Sequence, residues 1–244
     1  MIQPFINKIF CEDNSLLMKR MPDNFIDLIY CDILYGTGRN FDDYQDIKAD
    51  RNIINNFYIP RFQEMHRILK DTGSIYIHCD WRINHWIRLI LDEIFGYDNF
   101  RNEIIWEYGL GGSGSKQFSK KHDNIYFYTK SINYNFNLQY EKATSEKMKG
   151  LMKKMIDVWK IPTINNMSKE RIGYISQKPK ILLKRIIKAS SNKNDIVADF
   201  FCGSGTTLMA AKDLSRNYIG CDISEKAVEI TNERLNEIKI RPYL

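Results

Sequence analysis

Apolar positions along the chain fall into two kinds of segment. The first is a short continuous run that meets a carboxylate at once: Ile9-Phe-Cys before Glu12, Leu28-Ile-Tyr-Cys before Asp32, and Ile75-Tyr-Ile-His-Cys before Asp80. Ile196-Val-Ala before Asp199 and Tyr218-Ile-Gly-Cys before Asp222 repeat it. Continuous β-branched and aromatic runs are what strands buried on both faces look like. Ligands of a parallel sheet bind at the carboxyl ends of its strands, so a row of acids there predicts a binding edge. The second kind is an apolar stripe at helical spacing. Asn14 is placed to cap a helix over 15–21, which Pro22-Asp23-Asn24 ends before a strand beginning at Phe25. A stripe over 52–69, interrupted by Pro60, stops at Asp71-Thr-Gly73. Amphipathic helices are also predicted over 83–95, ended by Gly96, and over 224–238. Strands alternating with helices predict an α/β fold.

The middle departs from this rhythm. Segments 102–108 and 124–130 read as strands, separated by Gly109-Leu-Gly-Gly-Ser-Gly-Ser115 and then Lys116, Lys120 and Lys121. Segment 133–137 alternates polar and aromatic residues. Segment 142–159 predicts a basic helix whose Met148, Met152 and Met155 pack against the sheet.

Composition narrows the class. A chain of 244 residues suits one α/β domain. The first ten residues lack the pattern of a signal peptide, and no window approaches the ~18 apolar residues of a membrane span. Five cysteines without a CxxC pair predict a reduced, cytoplasmic protein with neither disulfide framework nor metal site. The net charge of +6 suits a polyanionic partner.

Two constellations carry chemistry. In the first, the run ending at Asp199 leads through a glycine turn into helix formers: Asp199-Phe-Phe-Cys-Gly-Ser-Gly-Thr206. Gly203 and Gly205 can take positive φ and let a ligand approach the backbone, and the new helix points its amides there. Asp222 follows the turn by about 20 residues, where a nucleotide-binding fold sets a carboxylate against ribose hydroxyls. An adenosine-containing ligand is expected. Little chain remains after Asp222, so strands from the N-terminus must complete the sheet, and the fold is expected to be circularly permuted. In the second constellation, Asp32-Ile-Leu-Tyr35 sets an acid and an exposed aromatic at a strand end. The acid can accept from an exocyclic amine and the aromatic can stack on a heterocycle. The polar stretch through Tyr44 fits a loop that orders over substrate.

These motifs resemble those of the permuted β group of site-specific DNA amino-methyltransferases, which methylate adenine N6 or cytosine N4 with S-adenosylmethionine. Asp32-Ile-Leu-Tyr35 is similar to that group's Asp-Pro-Pro-Tyr, and the Asp199–Thr206 stretch to its Asp-Pro-Phe-x-Gly-Ser-Gly-Thr. Tyr174-Ile-Ser-Gln-Lys-Pro179 resembles Tyr-Pro-Thr-Gln-Lys-Pro, and the likeness spans roughly residues 7 to 235. The resemblance implies a doubly wound, mostly parallel Rossmann-like sheet. Its catalytic half spans 1–130, a target-recognition insert 131–171, and its cofactor half 172–244. It implies catalytic roles for Asp32, the Ile33 carbonyl and Tyr35. It implies cofactor contacts by Asp13, Gln177, Lys178, Asp199, Phe201, Cys202, Gly203, Gly205, Thr206 and Asp222. Arg39, Lys116, Lys120 and Lys121 are expected on DNA phosphates, with base reading by the insert. Double-stranded DNA is the implied substrate and base flipping the implied route, within a restriction-modification setting. A homodimer and a cognate restriction endonuclease stay open as partners.

Asp at the first motif position favours adenine over cytosine. Prolines of the family are replaced by Ile33, Leu34, Ile175 and Phe200, which predicts a more mobile site. Two other readings stay open: a cofactor-binding DNA module or regulatory subunit with little turnover, and an RNA methyltransferase.

Overall fold

The computed structural model describes residues 4–41, 44–109, 114–174 and 176–236. The elements in chain order are β1 (Lys8–Cys11), α1 (Asn14–Lys19), β2 (Ile26–Asp32), α2 (Arg51–Ile68), β3 (Leu69–Cys79) and α3 (Asn84–Phe95). β4 (Phe100–Glu107), β5 (His122–Thr129), β6 (Tyr140–Lys142), β7 (Met152–Lys154) and β8 (Val158–Lys160) form the middle. α4 (Lys180–Ser190), β9 (Ile196–Asp199), α5 (Thr206–Asp213), β10 (Asn217–Asp222) and α6 (Glu225–Leu235) follow.

Eight of the described strands form one sheet in the order β1-β10-β9-β2-β3-β5-β4-β8. The first five in that order run parallel, so Glu12, Asp222, Asp199, Asp32 and Asp80 all meet one edge. β5 runs antiparallel to both β3 and β4. The last strands of the chain thus sit between the first two, the permuted arrangement expected. Chain order reverses between β9 and β2, and a crevice opens at such a switch point.

Period-2 alternation divides the core. Ile29 and Cys31 of β2 join the cluster beneath α1, α2 and α3, whereas Leu28 and Tyr30 join the one beneath α4 and α5. Helices therefore cover both faces. Among the described residues no helix is long and apolar enough to cross a membrane.

Several expectations need correction. Asp13 caps α1 by accepting from the Ser15 N–H at 2.8 Å, while Asn14 turns inward and donates to the Phe200 carbonyl at 2.8 Å. Pro60 does not interrupt α2: it lies exposed within the helix, where the carbonyl that loses a partner can turn to water. The predicted basic helix over 142–159 does not exist. Gly150 takes φ +86°, and β6 and β7 pair as a small antiparallel ribbon around it. Met152 is exposed rather than packed on the sheet. Nor is the 131–171 segment separate from the core. β8 extends the main sheet by pairing with β4, and Trp159 and Ile161 are buried in it. α4 had no counterpart among the predicted elements. The expected end of the last helix at 238, part of the 109–115 glycine stretch and the lost proline at Ile175 lie outside the described residues.

Candidate active site

The crevice between β9 and β2 opens into a cleft of about 640 Å³, a volume suited to a nucleoside-sized ligand. Of the residues expected to be catalytic or to hold cofactor, all but Gly205 line it.

The β9–α5 turn is built from its own residues. Asp199 is buried and accepts from the Thr207 hydroxyl at 2.5 Å and the Phe201 N–H at 3.1 Å. Burial pushes its carboxyl up to about 7, although both donors oppose the shift. Phe200, where the family has proline, is sealed in the core. Asp222 reaches back across the turn, accepting from the Gly203 N–H at 2.8 Å and the Ser224 N–H at 3.0 Å. The two glycines differ in kind. Gly203 (φ +47°) faces the cleft, where a Cβ would stand 3.3 Å from the Tyr174 ring. Gly205 (φ +72°) is backed against α6, and a Cβ there would stand 2.3 Å from Thr231 Cγ2. Its need for glycine comes from packing, not from ligand approach. Thr206 is buried, and Arg234 donates to its hydroxyl at 3.3 Å.

Opposite lies the end of β2. Tyr35 is half-buried rather than exposed, and its hydroxyl is held from several sides. Its single proton is shared between Asp32 Oδ1 at 2.9 Å and Asp123 Oδ2 at 3.1 Å, and the oxygen lies 3.3 Å from His78 Nε2. Burial, then the charges of Asp32 and Asp123, push its phenol well above its usual range. His78 is fully buried, with Tyr30 Oη at 2.8 Å from Nδ1 and Asp123 Oδ2 at 3.2 Å from Nε2. Tyr108 adds a contact to Asp123 Oδ1 at 3.4 Å, and its own phenol is pushed up to about 12, chiefly by burial. Burial raises the Asp123 carboxyl, but the hydrogen bond and charge of His78, with Lys178 and Tyr35, outweigh it and hold the group below its ordinary range.

The lost prolines are partly offset by hydrogen bonds. The Ile33 N–H donates to the His78 carbonyl at 3.1 Å, a bond no proline could make. The Leu34 carbonyl accepts from the Tyr58 hydroxyl at 3.0 Å. The segment is tethered at both of these positions.

The 174–179 segment contributes Tyr174, Ser176, Gln177 and Lys178 to the cleft wall. Lys178 pairs with Asp32 Oδ2 and lies 5.3 Å from the Tyr35 ring centre. The Gln177 amide is spent on its own loop, donating to the Glu170 carbonyl at 2.7 Å and accepting from the Ile172 N–H at 3.1 Å. At the far wall, Asp13 pairs with Arg61 at 2.6 Å, and the Arg61 guanidinium lies 3.7 Å from the Phe57 ring centre. Arg39, Lys116, Lys120 and Lys121 lie outside the cleft lining.

Sequence reading missed His78, Asp123, Tyr108, Phe57 and Arg61. A signal existed for His78: a polar ring within the Ile75–Cys79 run had to find buried partners.

The fold and cleft define an α/β enzyme that binds a nucleoside-like ligand at the carboxyl edge of a permuted sheet. A DNA methylase family model, covering N6 and N4 amino-methyltransferases, matches residues 26–233, and the chain belongs to that family. It is 32% identical to the type II methyltransferase M.HpaI of Haemophilus parainfluenzae over 94% of this chain and 74% of that one. It is 30% identical to the DNA adenine methyltransferase YhdJ of Escherichia coli K12, covering 90% and 79% respectively. Among solved structures, the cytosine-N4-specific PvuII DNA methyltransferase superposes with TM-score 0.69 at 14% identity, covering 94% of this chain and 92% of that one. The M1.HpyAVI–SAM complex gives 0.64 at 22% identity, covering 94% and 98%. Both bear out the expected fold.

Proposed function

We propose that this protein methylates the N6 amino group of adenine in double-stranded DNA, using S-adenosylmethionine and a base extruded from the helix. The observation that carries the reading is one cleft joining the β9–α5 glycine turn to Asp32 and Tyr35 at the end of β2.

The lining suits the cofactor. Gly203 leaves the turn open to the cleft, and Asp222 and Asp13 supply carboxylates for hydroxyl and amine donors. Phe57 and Ile223 supply apolar surface for an adenine ring. Thr163 Oγ1 is buried on the cleft wall without a hydrogen-bond partner among the described residues, so a polar ligand atom can satisfy it. Phe201, Cys202 and Thr206 would form the floor, with Gln177 and Lys178 toward the methionine end. When bound, the cofactor supplies an electrophilic methyl group on sulfur.

The chain's own residues supply placement and charge. Asp32 and the Ile33 carbonyl accept hydrogen bonds from the target amine and aim its lone pair. Tyr35, fixed through its hydroxyl, offers its ring to the extruded base. Asp32 would also accept the proton that the methylated amine sheds. Adenine is favoured because the first motif position is an acid, and the kinship with YhdJ points the same way.

The test is direct. Purified protein, cofactor carrying a labelled methyl group and unmethylated genomic DNA should yield labelled N6-methyladenine on digestion to nucleosides. Asp32→Ala should lose at least ~100-fold in rate while cofactor affinity, measured by calorimetry, changes little. Labelled N4-methylcytosine would overturn the base assignment. Absence of label in DNA, or label in RNA instead, would overturn the function.

A further inference from the structure

Among the exposed large apolar side chains of the described residues, Phe118 is the most exposed, at 98%. Its place is not arbitrary. It sits in the β4–β5 connection, whose base is closed by the Tyr108 N–H donating to the Lys121 carbonyl at 3.1 Å. Tyr108 lines the cleft and touches Asp123, so this connection springs from the cleft wall beside the catalytic strand end. The surroundings are basic. Lys116 and Lys120 flank Phe118 in sequence, and the Lys120 ammonium rests 4.2 Å from the ring centre of Trp81, which follows Asp80 at the end of β3. Trp81 is itself 45% exposed, with the Arg82 guanidinium 4.9 Å from its ring centre.

A fully exposed aromatic costs solubility and contributes nothing to the core. Flanked in sequence by Lys116 and Lys120, in a connection that starts at the cleft-lining Tyr108, it has the chemistry of a wedge that enters a base stack while its neighbours hold the phosphates. We infer that Phe118 inserts into the duplex where the target base leaves, filling the gap and blocking its return. Trp81, with Arg82 and Lys120, braces the adjoining backbone. This rests on the base-extruding DNA methylase reading above and names the residue that carries out the extrusion. Lys116 and Lys120 make the DNA duplex the expected occupant rather than a second copy of the chain.

The probe is a synthetic duplex carrying the site mapped by methylating genomic DNA, prepared with the target base paired or opposite an abasic position. For Phe118→Ala, kcat/KM on the paired duplex should fall by about 30-fold, equivalent to ~2 kcal/mol. On the abasic duplex, where extrusion is cheap, it should recover to within about threefold of wild type. With 2-aminopurine at the target position, the fluorescence rise seen on wild-type binding should be largely lost in the variant. Cofactor affinity and the melting temperature should not move, because Phe118 packs against nothing in the core. Equal loss on both duplexes, or no loss on either, overturns the inference. A change in sedimentation of the free protein also overturns it, by assigning Phe118 to contact between copies. Failure of the wild-type protein to methylate either duplex would instead sink the underlying reading.

Discussion

The Asp32 carboxylate is shared: Tyr35 donates to one oxygen and Lys178 pairs with the other. Behind them His78 is enclosed by Tyr30, Asp32, Tyr35, Asp123 and the edge of Trp106, so the motif's geometry is fixed from β3 and β5 as well as from its own strand. His78 touches no expected substrate position and acts through Tyr35 and Asp123, as a positioning residue. His78→Gln can satisfy only one of the two flanking groups. It should lower kcat roughly 10- to 100-fold, the scale on which a misplaced catalytic group acts, while cofactor KM stays within about threefold. A fall confined to stability, with kcat intact in the folded fraction, would make the ring purely structural. The motif itself was legible because it is contiguous in sequence. The cluster behind it was not, because His78 and Asp123 are brought together by strand pairing that one sequence does not display.

At the scale of elements, the runs of β2, β3, β9 and β10 were readable because strands buried on both faces stay almost wholly apolar, His78 being the exception, and the edge strand β1 was readable as a short apolar run before an acid. The ribbon around Gly150 was not, since three-residue, lysine-rich strands are too short to display either period. The β9–α5 turn offers two predictions. Gly205→Ala should destabilise the fold through its 2.3 Å approach to Thr231 and its positive φ, lowering the melting temperature by several degrees. Gly203→Ala meets Tyr174 only at 3.3 Å, so it should leave melting less changed and weaken cofactor binding in calorimetry. The reverse ranking would assign the ligand-facing role to Gly205. Asp199 gives the turn a pH dependence. Folded, the carboxyl keeps its proton up to about pH 7, whereas unfolded it releases it near pH ~4. Between these values the folded state binds more protons, so this group makes stability fall as pH rises from about 4 to about 7. Urea denaturation at pH 5 and pH 7.5 reads the slope, and Asp199→Asn should flatten it.

Over the whole molecule, the permuted order sets the two constellations side by side although roughly two thirds of the chain separates them. Glycine turn and acidic motif end on β9 and β2, which are neighbours in the sheet. That juxtaposition was legible in the order of the motifs, the acidic one preceding the glycine turn along the chain. For the proposed DNA face, the sequence offered a charge excess and four basic residues in polar loops, Arg39, Lys116, Lys120 and Lys121, but not their arrangement. Its shape depends on the β4–β5 connection lying beside β3, where Lys120 meets Trp81. If Lys116 and Lys120 each neutralise a phosphate, replacing both with Ala should flatten the plot of log affinity against log salt by roughly 2 units. Affinity should then fall about equally for target and non-target duplexes, because phosphate contacts carry no sequence information. An unchanged slope would put DNA on another surface. A fall confined to the target duplex would mean that these lysines read bases, and that the division between holding and reading DNA runs elsewhere on the molecule.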